Sequence, residues 1–534
     1  MINPTTASRQ EVIPATVEAQ TALTPGRFST RGVAVRLFIT CWLIFCLHFA
    51  TNTVREIYPA LSLAEHFSFD VSEYSGLHPD IFEMPGRGTY INSNPGASML
   101  GAVPCLIARP VMGLVVERIE RARAASPEPD AAQYNSVYPM ARDFYREARA
   151  RGLDVKFGLA AGVTQALCMA PLSALSTVVM FYILLSLTGA RRKAIWLAVL
   201  YAVATPVLYR TAQLNQNILV GHFALFAFAL LWRPWDDPAN PRRPHYFLAG
   251  LLCGFTVVLD YSGIVVLAAL SIYGLVRRAS LPPEVRSRAD IYRFAAGVMI
   301  WAAVLMGYQW AAFGNPFYPA QHYMPPATFT GYGYKGMDWP HLDLLWETGF
   351  SMRFGLFTSA PLLLLALFIP GWFNNRIRIV ERREMWLIVI LSMAFFIFCA
   401  ANQYTRMQFN TGVRHVVPVV PFLFLLASGV LLRLPKLAAV LIGIITTYWS
   451  WCLAMYRDVE LGIGIFESIR HITFEGFRLP WLVTLENMGY VSGASAIPLL
   501  LLSGVILWAI WTVGAGKADQ PARPLFATSG RHTK

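Results

Sequence analysis

An all-α polytopic membrane fold follows from three features of the chain. Hydrophobic residues make up 55% of it and charged residues only 14%, with a mean hydropathy of +0.46, whereas about a quarter of a soluble domain is charged. Apolar runs of about 15 to 30 residues, the length scale of a bilayer crossing, recur from residue 34 to residue 513. Basic residues gather in short loops beside those runs, as they do on the cytoplasmic side of membrane proteins. The 534 residues therefore predict one continuous bundle of about 12–13 transmembrane helices rather than several soluble domains.

The spans expected from the apolar runs are 34–50, 157–187, 194–210, 218–232, 246–259, 262–276, 291–312, 351–372, 385–401, 415–431, 437–455 and 492–513. Residues 1–33 are polar, lack the apolar core of a signal peptide and read as a cytoplasmic tail, as do residues 514–534. Between them, 34–513 forms the membrane domain. Arg191, Arg192 and Lys193 mark one cytoplasmic loop; Arg277, Arg278, Arg286, Arg288 and Arg293 mark a second; Arg376, Arg378, Arg382 and Arg383 mark a third. For these loops to share a side, 246–276 must be a hairpin of two spans turning near Asp260, Tyr261 and Ser262. The same parity argument makes 96–116, although apolar enough to span, a re-entrant or interfacial helix. The following insertion, 117–156, is mixed in charge and amphipathic, which suits a surface helix.

Composition also excludes some functions. The net charge of +13 is accounted for by topology signals, so no nucleic-acid partner is expected. All seven cysteines (Cys41, Cys46, Cys105, Cys168, Cys253, Cys399, Cys452) lie in apolar runs without metal-type spacing, so neither disulfides nor a structural zinc is expected. His322, His341, Asp338 and Asp343 share one loop without tight ligand spacing; a divalent metal is possible there but not indicated, and no cofactor is assigned.

Charges beside a membrane domain are costly unless they pair or face a cavity, so their positions carry information. The first outside loop, 51–95, offers Arg55, Glu56, Glu65, Asp70, Glu73, Asp80 and Glu83. A carboxylate emerging there can take the proton of an acceptor hydroxyl as it attacks a sugar carbon; the plainer reading is a solvated acidic loop. On the same side Arg353, Arg406, Arg414 and His415 run against the usual charge asymmetry, and can hold an anion or a structural partner. The outside loop 313–350 is rich in aromatics, including Tyr332, with Lys335 among them. Such rings stack on sugars but also form interface belts, the reading favoured here. Asp260 reads as a turn residue and His222 as a buried histidine satisfied by a neighbour, with the cavity wall as its other reading.

Four stretches together resemble the GT-C fold of membrane glycosyltransferases, a superfamily that includes protein O-mannosyltransferases and lipid A aminoarabinose transferases. They are VREIYPALSLAEH, with its acidic residue Glu56 just after the first span; GRGTYINSNPGASMLGAVPCLIA, which contains Tyr90 and Asn94; FGNPFYP followed by RFGLFTSAPLLLLAL; and NTGVRHVVPVVPFLFLLA. Their order along residues 34–431 carries the likeness more than any single stretch. Two departures are the uncertain position of the acidic residue and the insertion 117–156.

The resemblance implies a long first extracytoplasmic loop with juxtamembrane helices and an inverting transfer of a sugar from a polyprenyl-phosphate donor on the outer face. The acceptor would be a lipid, glycan or protein, and membrane lipids would surround the bundle. It further implies Glu56, or else Asp70 or Asp80, as base, with Arg353, Arg414, His415 and Arg55 around the carrier phosphate. Tyr90, Asn94, Tyr332 and Lys335 would line the sugar and acceptor. The expected location is a bacterial inner (plasma) membrane, multi-pass, with the N-terminus cytoplasmic. A membrane transporter or lipid-carrier flippase is the alternative, although no matched pair of halves is visible in the sequence.

Overall fold

The computed structural model describes residues 28–125, 134–237, 241–326, 329–407, 412–456, 464–493 and 495–513. Apart from residues 28–33 the two expected tails lie outside this set, as does part of the insertion 117–156. Apolar runs without internal hydrogen-bond partners become helices, because a lipid-facing backbone must satisfy its own polar groups. Among the described residues six helices are long and apolar enough to cross a membrane: Thr30–Leu47, Gly96–Ala124, Asp154–Thr188, Ala289–Phe313, Arg382–Ala401 and Lys436–Met455. Gln216–Trp232, Tyr246–Leu259, Val417–Leu431 and Ile497–Thr512 are shorter apolar helices. Ile497–Thr512 buries none of its residues and exposes Leu501, Val505 and Trp508, a surface suited to lipid and costly in water. The chain is an all-α membrane protein.

Contacts sort the helix ends onto two faces. On one, the Arg191 guanidinium donates to Thr30 Oγ1 at 3.2 Å, Asp290 accepts from Arg243 Nε at 2.6 Å, and Glu384 accepts from Tyr273 at 2.7 Å and Arg383 at 2.8 Å. These bonds tie the Arg191 loop to the start of the first helix, Arg243 to the second basic loop, and the helix entering that loop to the third. Asp290 is fully buried, so the arginines around it neutralise a carboxylate that would otherwise be expensive to keep charged. On the other face Ala50 N–H donates to Ala212 O at 2.8 Å and Arg210 Nε donates to Val413 O at 2.6 Å, joining the first loop, the Gln213–Asn217 segment and the 412–415 loop.

Helix Gly96–Ala124 is one of the six by length and composition, and side-chain bonds tie both its ends to neighbouring segments. At its start Ser98 Oγ donates to Glu56 O at 2.8 Å. At its end Arg123 bonds Asp154 at 2.8 Å, two residues from Lys156, which reaches Glu65 and Glu73 of the first loop. In helix Asp154–Thr188, Gln165 of the π-turn Gln165–Met169 donates to Phe45 O near the end of Thr30–Leu47.

The expected span 351–372 is corrected. The chain there forms a short helix Leu356–Ser359, a 3₁₀ run Pro361–Leu367 and a further turn Ile369–Phe373. Gly355, Pro361 and Pro370 interrupt it, since proline removes a donor and clashes with the preceding turn. A 3₁₀ segment rises about 2.0 Å per residue, so this stretch covers more depth than an α-helix of the same length. Its buried Leu362, Leu363 and Ala366 face helix Val420–Leu431.

Candidate functional site

The face opposite the basic loops opens into a cavity of about 1850 Å³, larger than the roughly 300–1,000 Å³ of a small-molecule pocket and roomy enough for two substrates. Its walls come from the first loop, the strand end Asn92–Asn94, the insertion, the 213–217 and 260–262 turns, the aromatic loop near Lys335, the 402–415 region and helix Pro480–Asn487.

Arg55 and Glu56 immediately precede helix Ile57–His66, and Ile57 N–H closes the turn onto Val54 O at 2.9 Å. The hairpin Ile81–Met84 with Gly88–Ile91 pairs Ile81 with Ile91, and Asn92 N–H donates to Asp80 O at 2.9 Å, which returns Asp80 and Asn92 side by side. Arg55 then bridges two carboxylates, its Nε donating to Glu56 Oε1 at 2.9 Å and its Nη1 to Asp80 Oδ2 at 3.0 Å. Glu56 is 3% exposed. Burial alone would push the Arg55 guanidinium down; Glu56 and Asp80 outweigh it and hold its pKa above the ordinary arginine value.

Arg414 lines the same cavity and makes no hydrogen bond or ion pair among the described residues. Burial, and then repulsion from Arg55, lower its pKa, against the pull of Glu56, Asp80 and Asp260. A guanidinium held in this way is suited to a ligand anion, which would complete its compensation. The preceding turn, with Gly412 at φ 84°, is fixed by the fully buried Arg210, whose guanidinium donates to Val413 O and Gly412 O, each at 2.6 Å. His415 also lines the cavity, and its Nε2 is buried without a hydrogen-bond partner among the described residues.

The remaining expected residues divide. Asn94 and Lys335 line the cavity; Asn94 is oriented by donation to Val257 O at 2.8 Å, and Lys335 sits in a left-handed turn, φ 53°. Asp70 does not reach it. Its carboxylate accepts from Ser72 N, Ser72 Oγ and Thr89 N, fastening the hairpin, which leaves Glu56 and Asp80 as the expected bases that line the cavity. Arg353 is exposed and lies off the cavity, in a turn whose carbonyl accepts from Gly412 N; its assignment to the carrier phosphate is corrected. Tyr90 packs on Phe313 at 5.4 Å with its hydroxyl donating to Arg87 O, and Tyr332 is exposed; neither lines the cavity. Arg406 is taken up by Asp343 at 2.7 Å.

Asp260 closes the expected turn, its Oδ1 accepting from Ser262 N at 2.9 Å, and it also lines the cavity. His222 is buried off the cavity, its Nε2 2.8 Å from Ser173 Oγ. Three potential metal ligands, Glu65, His66 and Glu73, lie within 4.8 Å of one another, outside the cavity, and Lys156 already bonds both carboxylates.

His78 stands beside Asp80 and was not singled out by charge. Its Nδ1 accepts from Asp80 N–H at 3.0 Å, so the neutral ring carries its proton on Nε2. Burial lowers its pKa below 6.5; Asp80 and Glu56 oppose this, while Arg55 and Arg414 add to it. The unfolded chain therefore takes up a proton near pH ~6.5 that the folded protein refuses. Stability is expected to fall as pH drops below about 6.5, by up to ~1.4 kcal/mol per pH unit until the folded ring also protonates. Melting temperatures between pH 5 and 7 check this, with His78→Gln losing that part of the dependence.

Sequence reasoning also missed Gln213, Asn215, Gln216 and Asn217, which form one wall of the cavity. The available signal was a dense run of carboxamides, QLNQN, between two apolar segments. Comparison with family models, with curated proteins and with solved structures gave no match.

Proposed function

We propose that the protein is a membrane glycosyltransferase that moves a sugar from a polyprenyl-phosphate donor to an acceptor hydroxyl in this cavity, by an inverting displacement. The observation that carries the reading is the joint arrangement of paired carboxylates, Glu56 and Asp80 on Arg55, with Arg414 free of hydrogen-bonded partners among the described residues, in one large cavity opposite the basic loops. The acceptor oxygen attacks the anomeric carbon, the bond from that carbon to the carrier phosphate oxygen breaks, and the electron pair leaves with the phosphate. Glu56 takes the hydroxyl proton. Arg414, with His415 beside it, meets the negative charge that grows on the leaving phosphate. The polyprenyl tail would lie in the membrane among the helices.

Transfer from a radiolabelled polyprenyl-phosphate sugar by the purified, reconstituted full chain tests this. Transfer to an acceptor supports the reading. Its absence across several donors, with movement of carrier or solute across liposomes instead, moves the assignment to a transporter. Arg414→Ala is expected to weaken donor use about 10- to 100-fold, the scale of one lost charge-assisted bond, with acceptor KM unchanged. Equal weakening toward both substrates in initial-rate measurements would remove Arg414 from the phosphate.

A further inference from the structure

Besides Oε1 of the half-buried Gln321, three carboxamide oxygens in the cavity wall have no hydrogen-bond donor among the described residues: Asn92 Oδ1, Gln213 Oε1 and Asn217 Oδ1. Their residues are 4%, 5% and 2% exposed, and all line the cavity. A buried acceptor left unpaired costs about 1–3 kcal/mol, so three on one cavity are a feature to be explained. The Asn92 amide is oriented by its Nδ2, which lies 2.9 Å from Met324 Sδ; exchanging its ends would turn an oxygen toward the sulfur. Asn217 lies in the first turn of helix Gln216–Trp232, whose N-cap Asn215 accepts from Ile218 N–H, and Gln213 stands just before it.

These oxygens require donors from whatever fills the cavity. A phosphate has none to offer when ionised, so it belongs with Arg414. Hydroxyl groups both donate and accept, and therefore suit carboxamides, whose own N–H groups are donors. An ammonium also donates, but none of these three residues carries the charge that would compensate it.

We propose that Asn92, Gln213 and Asn217 form a subsite for the hydroxyl groups of a neutral sugar. Within the glycosyltransferase reading, on which this rests, the subsite holds the donor's glycosyl group and selects a neutral sugar over a cationic one. Hydrogen bonds at a desolvated site discriminate strongly, because a ligand lacking the hydroxyl leaves the carboxamide unpaired.

The test titrates two probes separately into the reconstituted full chain: soluble methyl glycosides of neutral hexoses and pentoses, alongside an amino-sugar glycoside, and bare polyprenyl phosphate. The wild type should bind a neutral glycoside in preference to the amino sugar. Asn217→Leu and the nearly isosteric Gln213→Met should each weaken that binding about tenfold, while bare carrier binds unchanged, which also shows that the variants fold. If Asn217→Leu fails to fold, Gln213→Met decides alone. Failure of every neutral glycoside to bind, preference for the amino sugar, or unchanged affinity in the folded variants overturns the subsite. Glycoside binding without any binding of bare carrier leaves the subsite standing and removes the polyprenyl-phosphate donor instead.

Discussion

Glu56→Gln is expected to cut sugar transfer by about 10²–10⁴-fold, the scale of a general base, while leaving the protein folded. The glutamine keeps the shape of the side chain and an oxygen for Arg55 Nε, which sits 2.9 Å from Glu56 Oε1, but it cannot accept the proton of an attacking hydroxyl. Arg55 does not lose its compensation, because Asp80 remains 3.0 Å from Nη1. The backbone of Glu56 is held independently by Ser98 Oγ. A single-turnover measurement with saturating donor, together with the melting temperature, separates chemistry from stability. Asp80→Asn run in parallel makes the assignment decisive: a deep loss there with an active Glu56→Gln enzyme would transfer the base to Asp80. Asp70→Asn should leave turnover near wild type, since Asp70 serves the hairpin.

The second large effect is structural. Gly250→Leu should prevent helix Tyr246–Leu259 from docking on Ala289–Phe313, two of the most extensively packed partners in the bundle. A Cβ at Gly250 would fall on the carbonyl oxygen of Phe294, one at Gly297 on that of Phe247, and one at Gly254 would sit 3.0 Å from Val298 Cα. These obstacles are backbone, which cannot rotate away. Small residues spaced four apart are how membrane helices approach closely, because apolar burial alone gives no preference for protein over lipid. Overpacking by one methyl group costs about 1–3 kcal/mol, so Gly250→Ala should be measurably less stable and Gly250→Leu should lose the docked state. The effect should reach the cavity, because Tyr261 follows the first helix and its hydroxyl accepts from Gln309 Nε2 of the second at 2.6 Å. Thermal melting of detergent-purified variants checks it; a Gly250→Leu protein that melts with the wild type would refute the close packing.

Some of the site was legible in the chain. Arg55, Glu56, Asp80, Asn94, Lys335, Arg414 and His415 do share a cavity; charge next to apolar runs was the signal for the acids, the arginines and His415, and the family resemblance for Asn94 and Lys335. Charge alone could not separate Asp80 from Asp70, or Arg414 from Arg353. Residues in loops point where their local turns send them: Asp70 is consumed by the Ser72 and Thr89 amides, and Arg353 stands at the surface. Neutral residues give no charge signal: the carboxamide run QLNQN was visible in the chain, but its place on the cavity, like the tautomer-fixing contact of His78, came from geometry. Arg210, buried within an expected span, proved to hold the loop that presents Arg414.

Composition and hydropathy were enough to read this chain as an all-helical membrane protein. Hydropathy over helix-length windows is a local property, and charge asymmetry is additive along the chain. Only the tertiary structure decided that 355–373 is broken into short turns, that two helices touch through Gly250 and Gly297, and which polar groups meet across the cavity. Those outcomes depend on contacts between residues far apart in the chain, such as Arg210 with Val413, 203 positions away, and Ser98 with Glu56, 42 positions away. Such contacts are fixed by packing and by the need to satisfy buried polar groups, not by local preference.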